Sequence, residues 1–134
     1  MFRILILAAA GATLAATFAA APAEAQRWND RGWRTIAYAT VGGRDTDTIA
    51  LPGRTRQTAV RLCTMNAPIR LRDFDIRFEN GRTQDANTRA RLGAGQCTRA
   101  IDLRGNRRDI ERIRLRYEPI ARGGRRPLVR VQVR

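Results

Sequence analysis

Apolar and polar residues alternate with a period of two along Ile110–Glu118 and again along Leu128–Arg134. The first run, IERIRLRYE, sets Ile113, Leu115 and Tyr117 on one side of an extended chain and Arg112, Arg114 and Arg116 on the other. The second sets Val129, Val131 and Val133 against Arg130, Gln132 and Arg134. A helix would scatter those apolar side chains around its axis, whereas a strand lines them up on one face. Similar short runs lie at 34–41, 46–51, 57–65, 69–79, 88–92 and 97–103, parted by turn signals such as Gly42-Gly43, Pro52-Gly53, Asn80-Gly81 and Gly105-Asn106. No segment sustains helical periodicity. The pattern predicts an all-β fold: a single compact antiparallel β-sandwich or barrel of about 7–8 strands, each hiding one face.

Three places break the alternation. Ile69 and Leu71 share one parity while Phe74, Ile76 and Phe78 share the other, so keeping all five inward requires a β-bulge near Arg72 and Asp73. Ile110 and Ile113 are three apart, which suggests a turn or a short 3₁₀ step before regular alternation starts at Ile113. Cys97 has the parity of the core-facing Ile101 and Leu103, but Cys63 opposes Val60 and Leu62, so the strand holding Cys63 is expected to end or kink there.

The first 25 residues read as a secretory signal peptide: Arg3, an apolar Ile4–Thr17 stretch, and the small-x-small Ala23-Glu24-Ala25 before the expected cleavage. Ala, Gly and Thr residues dilute the run below what a membrane-spanning helix needs. Residues 26–134 would remain, with 26–33 as an N-terminal arm and 34–134 as the β domain. Such a chain is expected to be periplasmic or secreted.

All 26 basic residues are arginine, and the sequence holds no lysine, histidine or serine. A Ser-His-Asp triad, a Cys-His dyad, a lysine Schiff base and a histidine-ligated metal are excluded, and with them most hydrolase mechanisms. Asp73 and Asp75 lie two apart on one strand, roughly 7 Å between side chains, a spacing compatible with a general acid–base pair. Arg72 and Arg77 would depress their pKa values, so cross-strand ion pairing is the better use. Asp45 and Asp47 beside Gly42-Gly43 would offer oxygens to calcium, but a hard cation wants about six or more, and these residues suit a turn. The expectation is a non-enzyme with no cofactor and no metal. In an exported chain Cys63 and Cys97 suit a disulfide closing a 35-residue loop; the alternative is two separate thiols, neither activated by a histidine or a CxxC motif.

Asp45-Thr-Asp47-Thr-Ile49, the bulged strand ending Phe78-Glu-Asn80-Gly81, Ile101-Asp102-Leu103-Arg104-Gly105 and Arg108-Asp-Ile110-Glu-Arg-Ile113 together resemble a family of small exported bacterial β-domains of unassigned function. The resemblance spans nearly all of 26–134 and implies a compact periplasmic domain with no known catalytic residue to carry over.

Charge is what remains. The net charge is +14, and from Arg104 onward 11 arginines face three acids, Asp109, Glu111 and Glu118. If the strands at 110–117 and 128–133 paired as sequence neighbours often do, Arg112, Arg114, Arg116, Arg130 and Arg134 would share one sheet face, with Arg122, Arg125 and Arg126 in the loop. Guanidinium forks on such a face suit phosphates and carboxylates. Two functions follow: a structural or interaction domain of the cell envelope whose partner is a protein, or a binder of anionic envelope polymers such as phosphorylated lipopolysaccharide, acidic polysaccharide or nucleic acid. No RRM, zinc-finger or helix-turn-helix motif is visible, and the six aromatics of 26–134 form no stacking platform in the sequence. Trp28 and Trp33 either cap one end of the sandwich or belong to a flexible arm.

Overall fold

Nine strands carry the period-two runs: β1 (Arg34–Thr40), β2 (Thr46–Ala50), β3 (Ala59–Met65), β4 (Ile69–Phe78), β5 (Thr83–Asp85), β6 (Ala90–Leu92), β7 (Ile101–Asp102), β8 (Ile110–Tyr117) and β9 (Leu128–Val133). This computed structural model describes residues 31–53, 56–120 and 123–134. The expected signal peptide, Trp28 and Arg122 lie outside the described residues. All strands pair antiparallel, in a first sheet ordered β1-β9-β3-β7 and a second ordered β2-β8-β4-β5, with β6 also on β4. The result is a β-sandwich, not a closed barrel.

The alternation decides the core. Val60, Leu62, Val129, Val131 and Val133 of the first sheet meet Phe74, Ile76, Ile113, Leu115 and Tyr117 of the second in one buried cluster. Full burial of each such side chain contributes about 1.5–3 kcal/mol. The intervening polar residues face outward on both sheets, apart from the few described below.

Each break in the alternation has a structural cause. The register of β4 on β8 shifts between Leu71 and Asp73, so the predicted bulge is present, with Arg72 as the extra residue. It falls where the other edge of β4 changes partner, from β5 at Asp75–Arg77 to β6 at Ile69–Leu71. The expected turn or 3₁₀ step before Ile113 is not formed. Ile110 is already in β8, opposite Phe78, while Arg112 opposes Arg77; Glu111 is a second bulge, and it accounts for the three-residue spacing.

The strand holding Cys63 neither ends nor kinks; β3 continues to Met65. The irregularity lies on the other chain. Cys63 bridges Cys97 and Val60 pairs Ile101, so three steps along β3 are matched by four along 97–101. That one extra residue flips the parity of Cys97 and brings it to the outer face of the first sheet beside Cys63, where the two form a disulfide. The amide hydrogen bonds flank the pair, Thr64 N to Gln96 O and Thr98 N to Leu62 O, leaving the cysteines at the close non-hydrogen-bonded position of an antiparallel ladder. The predicted strand at 97–103 is accordingly reduced to β7. Arg99, thrown outward by the extra residue, donates to Ala86 O at 3.1 Å and Asn87 O at 3.4 Å, tying this segment to the β5–β6 loop of the second sheet.

β5 has no counterpart in the apolar pattern because its one inward residue is Gln84. Gln84 donates to Asp102 O at 2.9 Å and accepts from Arg104 N at 2.8 Å, a side-chain substitute for a ladder between the two sheets.

Candidate anion-binding surface

β8 and β9 do not pair. β8 lies between β2 and β4, and β9 between β1 and β3, so the single C-terminal arginine face is divided between opposite sides of the sandwich. The physical reason is that each strand has one strongly apolar face and takes the centre of its own sheet. The connection at 118–127, broken by Pro119, Gly123, Gly124 and Pro127, is long enough to cross the roughly 10 Å between sheets. Arg112, Arg114 and Arg116 project from the second sheet, Arg130 and Arg134 from the first, and Arg125 and Arg126 are exposed in the connection.

The row on β8 is largely paired. Glu111 Oε1 lies 3.4 Å from Arg112 Nη1 and 3.2 Å from Arg77 Nε, placing one carboxylate between two arginines that oppose each other across β4 and β8. Arg116 reaches Asp73 at 3.2 Å and Asp75 at 3.5 Å. Half-exposed pairs of this kind contribute about 0–1 kcal/mol each, but they occupy the guanidinium forks. Of the three, Arg114 alone has no ion pair among the described residues.

Asp73 and Asp75 do share a face, and Asp85 of β5 joins them, with carboxylate oxygens of all three within 4.8 Å of one another. Asp73 is committed to structure: Oδ1 accepts from Thr88 N at 3.1 Å and Oδ2 from Arg116. Burial works to raise its pKa, but hydrogen bonds from Asp85 and the Thr88 and Phe74 amides, with the Arg116 charge, outweigh it and hold the carboxyl below its usual 3.8. Asp85 moves the other way, raised chiefly by the hydrogen bond it shares with Asp73. Arg116 supplies this cluster's cation. Beside the β1–β2 turn, Asp47 Oδ2 accepts from Tyr117 Oη at 2.5 Å, and Gly42 N donates to the same Oη at 2.9 Å. Burial, then the Asp47 hydrogen bond, pushes the Tyr117 phenol above its usual value. Asp47, a residue of β2 and not of the turn the sequence suggested, therefore locks a buried tyrosine, and neither Asp45 nor Asp47 belongs to a cluster of three carboxylates among the described residues.

On the first sheet, Trp33 is packed and not a loose arm residue: Arg61 and Arg134 each lie 4.5 Å from its ring centroid. Gln132, fully buried, accepts from Arg61 Nε at 2.8 Å and donates to Thr35 Oγ1 at 3.2 Å. Arg130 stands across β1–β9 from Tyr38, whose ring is 68 % exposed. Here the guanidinium groups of Arg61 and Arg134 rest on an aromatic ring, and that of Arg61 also on an amide.

A third group of arginines is different. Arg70 and Arg72 are exposed on β4, Arg91 on β6 and Arg89 just before β6, with Arg70 and Arg91 directly opposite in register. Like charges set directly across two strands are destabilising. The nearby acid is Glu118, whose carboxylate is 3.8 Å from Arg70, with both side chains about half exposed. Arg72, Arg89 and Arg91 have no ion pair among the described residues. Two adjoining clefts of about 570 Å³ and 430 Å³ share Arg70, Arg91 and Glu118, and Arg125 also lines the larger. The repeated Arg-x-Arg at 70–72 and 89–91 is the sequence signal for this cluster. It is hidden by the greater arginine density after Arg104.

No curated protein matches the chain. Among solved structures it is similar to Pseudomonas aeruginosa AlgX, with a TM-score of 0.46 and 14 % identity over 75 % of this chain. The match spans 27 % of the AlgX chain, so most of AlgX has no counterpart here. A family model is matched over residues 5–132, and by that match the chain belongs to DUF2541, a domain of unknown function.

Proposed function

We propose that this protein is a non-catalytic interaction domain of the cell envelope, exported to the periplasm or beyond, that holds anionic polymers on the arginine-bearing end of its second sheet. One observation carries the reading: Arg70 and Arg72 of β4 gather with Arg91 of β6 and Arg89 just before it, and the acid beside them is the half-exposed Glu118. A fold that tolerates unbalanced like charge at close quarters gains from an external anion, and guanidinium forks suit phosphate and carboxylate alike. Export is supported by the signal-like residues 1–25, and a non-catalytic role by the missing nucleophile–base chemistry.

The test is retention of the purified protein on a sulfated or uronate polysaccharide across a salt series. Replacing Arg72, Arg89 and Arg91 by glutamine is expected to lower the eluting salt far more than replacing Arg112, Arg114 and Arg116. Equal losses for the two triple variants would mean that only overall charge matters and would sink the site.

A further inference from the structure

The larger cleft is not lined by charge alone. Its apolar lining, which we call the floor, is Ala67, Pro68, Ile69, Pro119 and Ile120, with Pro68 and Pro119 exposed, and its charged lining, the rim, is Arg70, Arg91, Arg125 and Glu118. Ala67 and Ile69 are buried and Ile120 is half-buried, packed so closely on Gly42 that a Cβ there would meet Ile120 Cγ1 at 2.8 Å. Gly42, at φ +116°, is what lets the chain turn under Ile120 and hold the apolar wall in place. A volume of about 570 Å³ lies within the range of sites that enclose part of a small molecule.

A hydrated polysaccharide would use the rim and leave the floor empty. An apolar floor ringed by guanidinium groups matches a ligand with a negative head and a hydrocarbon beginning. We infer that this cleft binds the phosphate-bearing end of a lipid, the phosphate on Arg70, Arg91 and Arg125 and the first methylenes along Pro68, Pro119 and Ile120. The inference rests on the anion-binding reading above and narrows it to one ligand class. Arg70 exchanges its loose contact with Glu118 for the phosphate, and the opposed Arg70–Arg91 pair gains a shared counter-ion.

Titration of the purified protein with hexyl, octyl and decyl phosphate, each below its micelle concentration, tests this against glycerol phosphate and octyl glucoside. Each methylene that reaches the floor should tighten binding by roughly fourfold, with a plateau once the cleft is filled. Arg91→Gln with Arg125→Gln should weaken octyl phosphate at least about tenfold, the loss of roughly one charge-assisted contact. Because the chain-length series uses the unaltered protein, it does not depend on any variant folding. Alkyl phosphates that bind no tighter than glycerol phosphate would overturn the lipid inference, and polysaccharide retention that still depended on Arg72, Arg89 and Arg91 would leave the broader reading standing. Octyl glucoside binding as well as octyl phosphate would overturn the role of the arginine rim. Failure of both the phosphates and the polysaccharide would remove both proposals.

Discussion

Single side chains do two separable jobs in this sandwich. Tyr117 is fully buried, yet its hydroxyl donates to Asp47 and accepts from Gly42, so one phenol satisfies both a carboxylate and an amide at the β1–β2 turn. Tyr117→Phe keeps the packing and leaves Gly42 N only its longer 3.4 Å contact with Asp47 Oδ2; urea unfolding should show a loss of about 1–3 kcal/mol, and a change within error would mean that this contact or water replaces the hydroxyl. Asp73 gives a pH signature. Its folded pKa lies below the ordinary 3.8, so its contribution is complete above 3.8 and disappears as the pH falls below it. Asp85, raised, contributes in the opposite sense, most when protonated and less as the pH rises through its folded pKa. Melting temperature followed through that acid range should fall more steeply for the natural protein than for Asp73→Asn. Parallel curves would remove Asp73 from the acid response. The sequence pattern made Asp73 visible as one of a pair with Asp75, but not Asp85, which reaches them only because a polar strand folds back beside β4.

At the level of elements, β1, β2, β4, β8 and β9 were legible almost to the residue, bulges aside, because an apolar face forces its own register. The Arg72 bulge was legible for the same reason: a parity change inside one strand has few other solutions. β5 was not, since its buried residue is glutamine and its stabilisation comes from hydrogen bonds to Asp102 and Arg104 that no hydropathy pattern encodes. The cysteines show a subtler limit. Their parity conflict was real, but it could be resolved on either strand, and only the pairing reveals that the extra residue lies between Cys97 and Ile101. The disulfide spans a sequence separation of 34, so replacing both cysteines by alanine should cost about 3–4 kcal/mol in the chain-entropy account. Amide exchange should quicken first at Thr98 and Leu103, which donate to Leu62 O of β3 and to Thr58 O just before it, on either side of the bulge. Uniform quickening over both sheets would argue that the bridge holds the whole fold and not the β7 edge.

For the molecule as a whole, charge and topology are at odds in an instructive way. A density of arginines from Arg104 onward suggested one face, yet the connection at 118–127 sends β8 and β9 to different sheets and their arginines to opposite sides. Which arginines gather was decided by strand order, a property of long-range pairing that local sequence does not contain. The net charge of +14 is spread over both faces, so the folded state repels itself and added salt should stabilise it. A melting temperature that rises between about 0.01 and 0.15 M salt would show this, and one that falls would mean the ion pairs of Arg77, Arg112 and Arg116 dominate instead. Strand order also governs when the fold can close. β9 enters between β1 and β3, and β8 between β2 and β4, so a chain emerging from its N-terminus presents two sheets that each lack a middle. Until residue 133 is free, β1 and β3 are naked edges with no one to zip them, and the strands most in need of a partner have waited longest for it. For a chain exported as we propose, that order would keep the thread open during the crossing and let the sandwich close only on the far side.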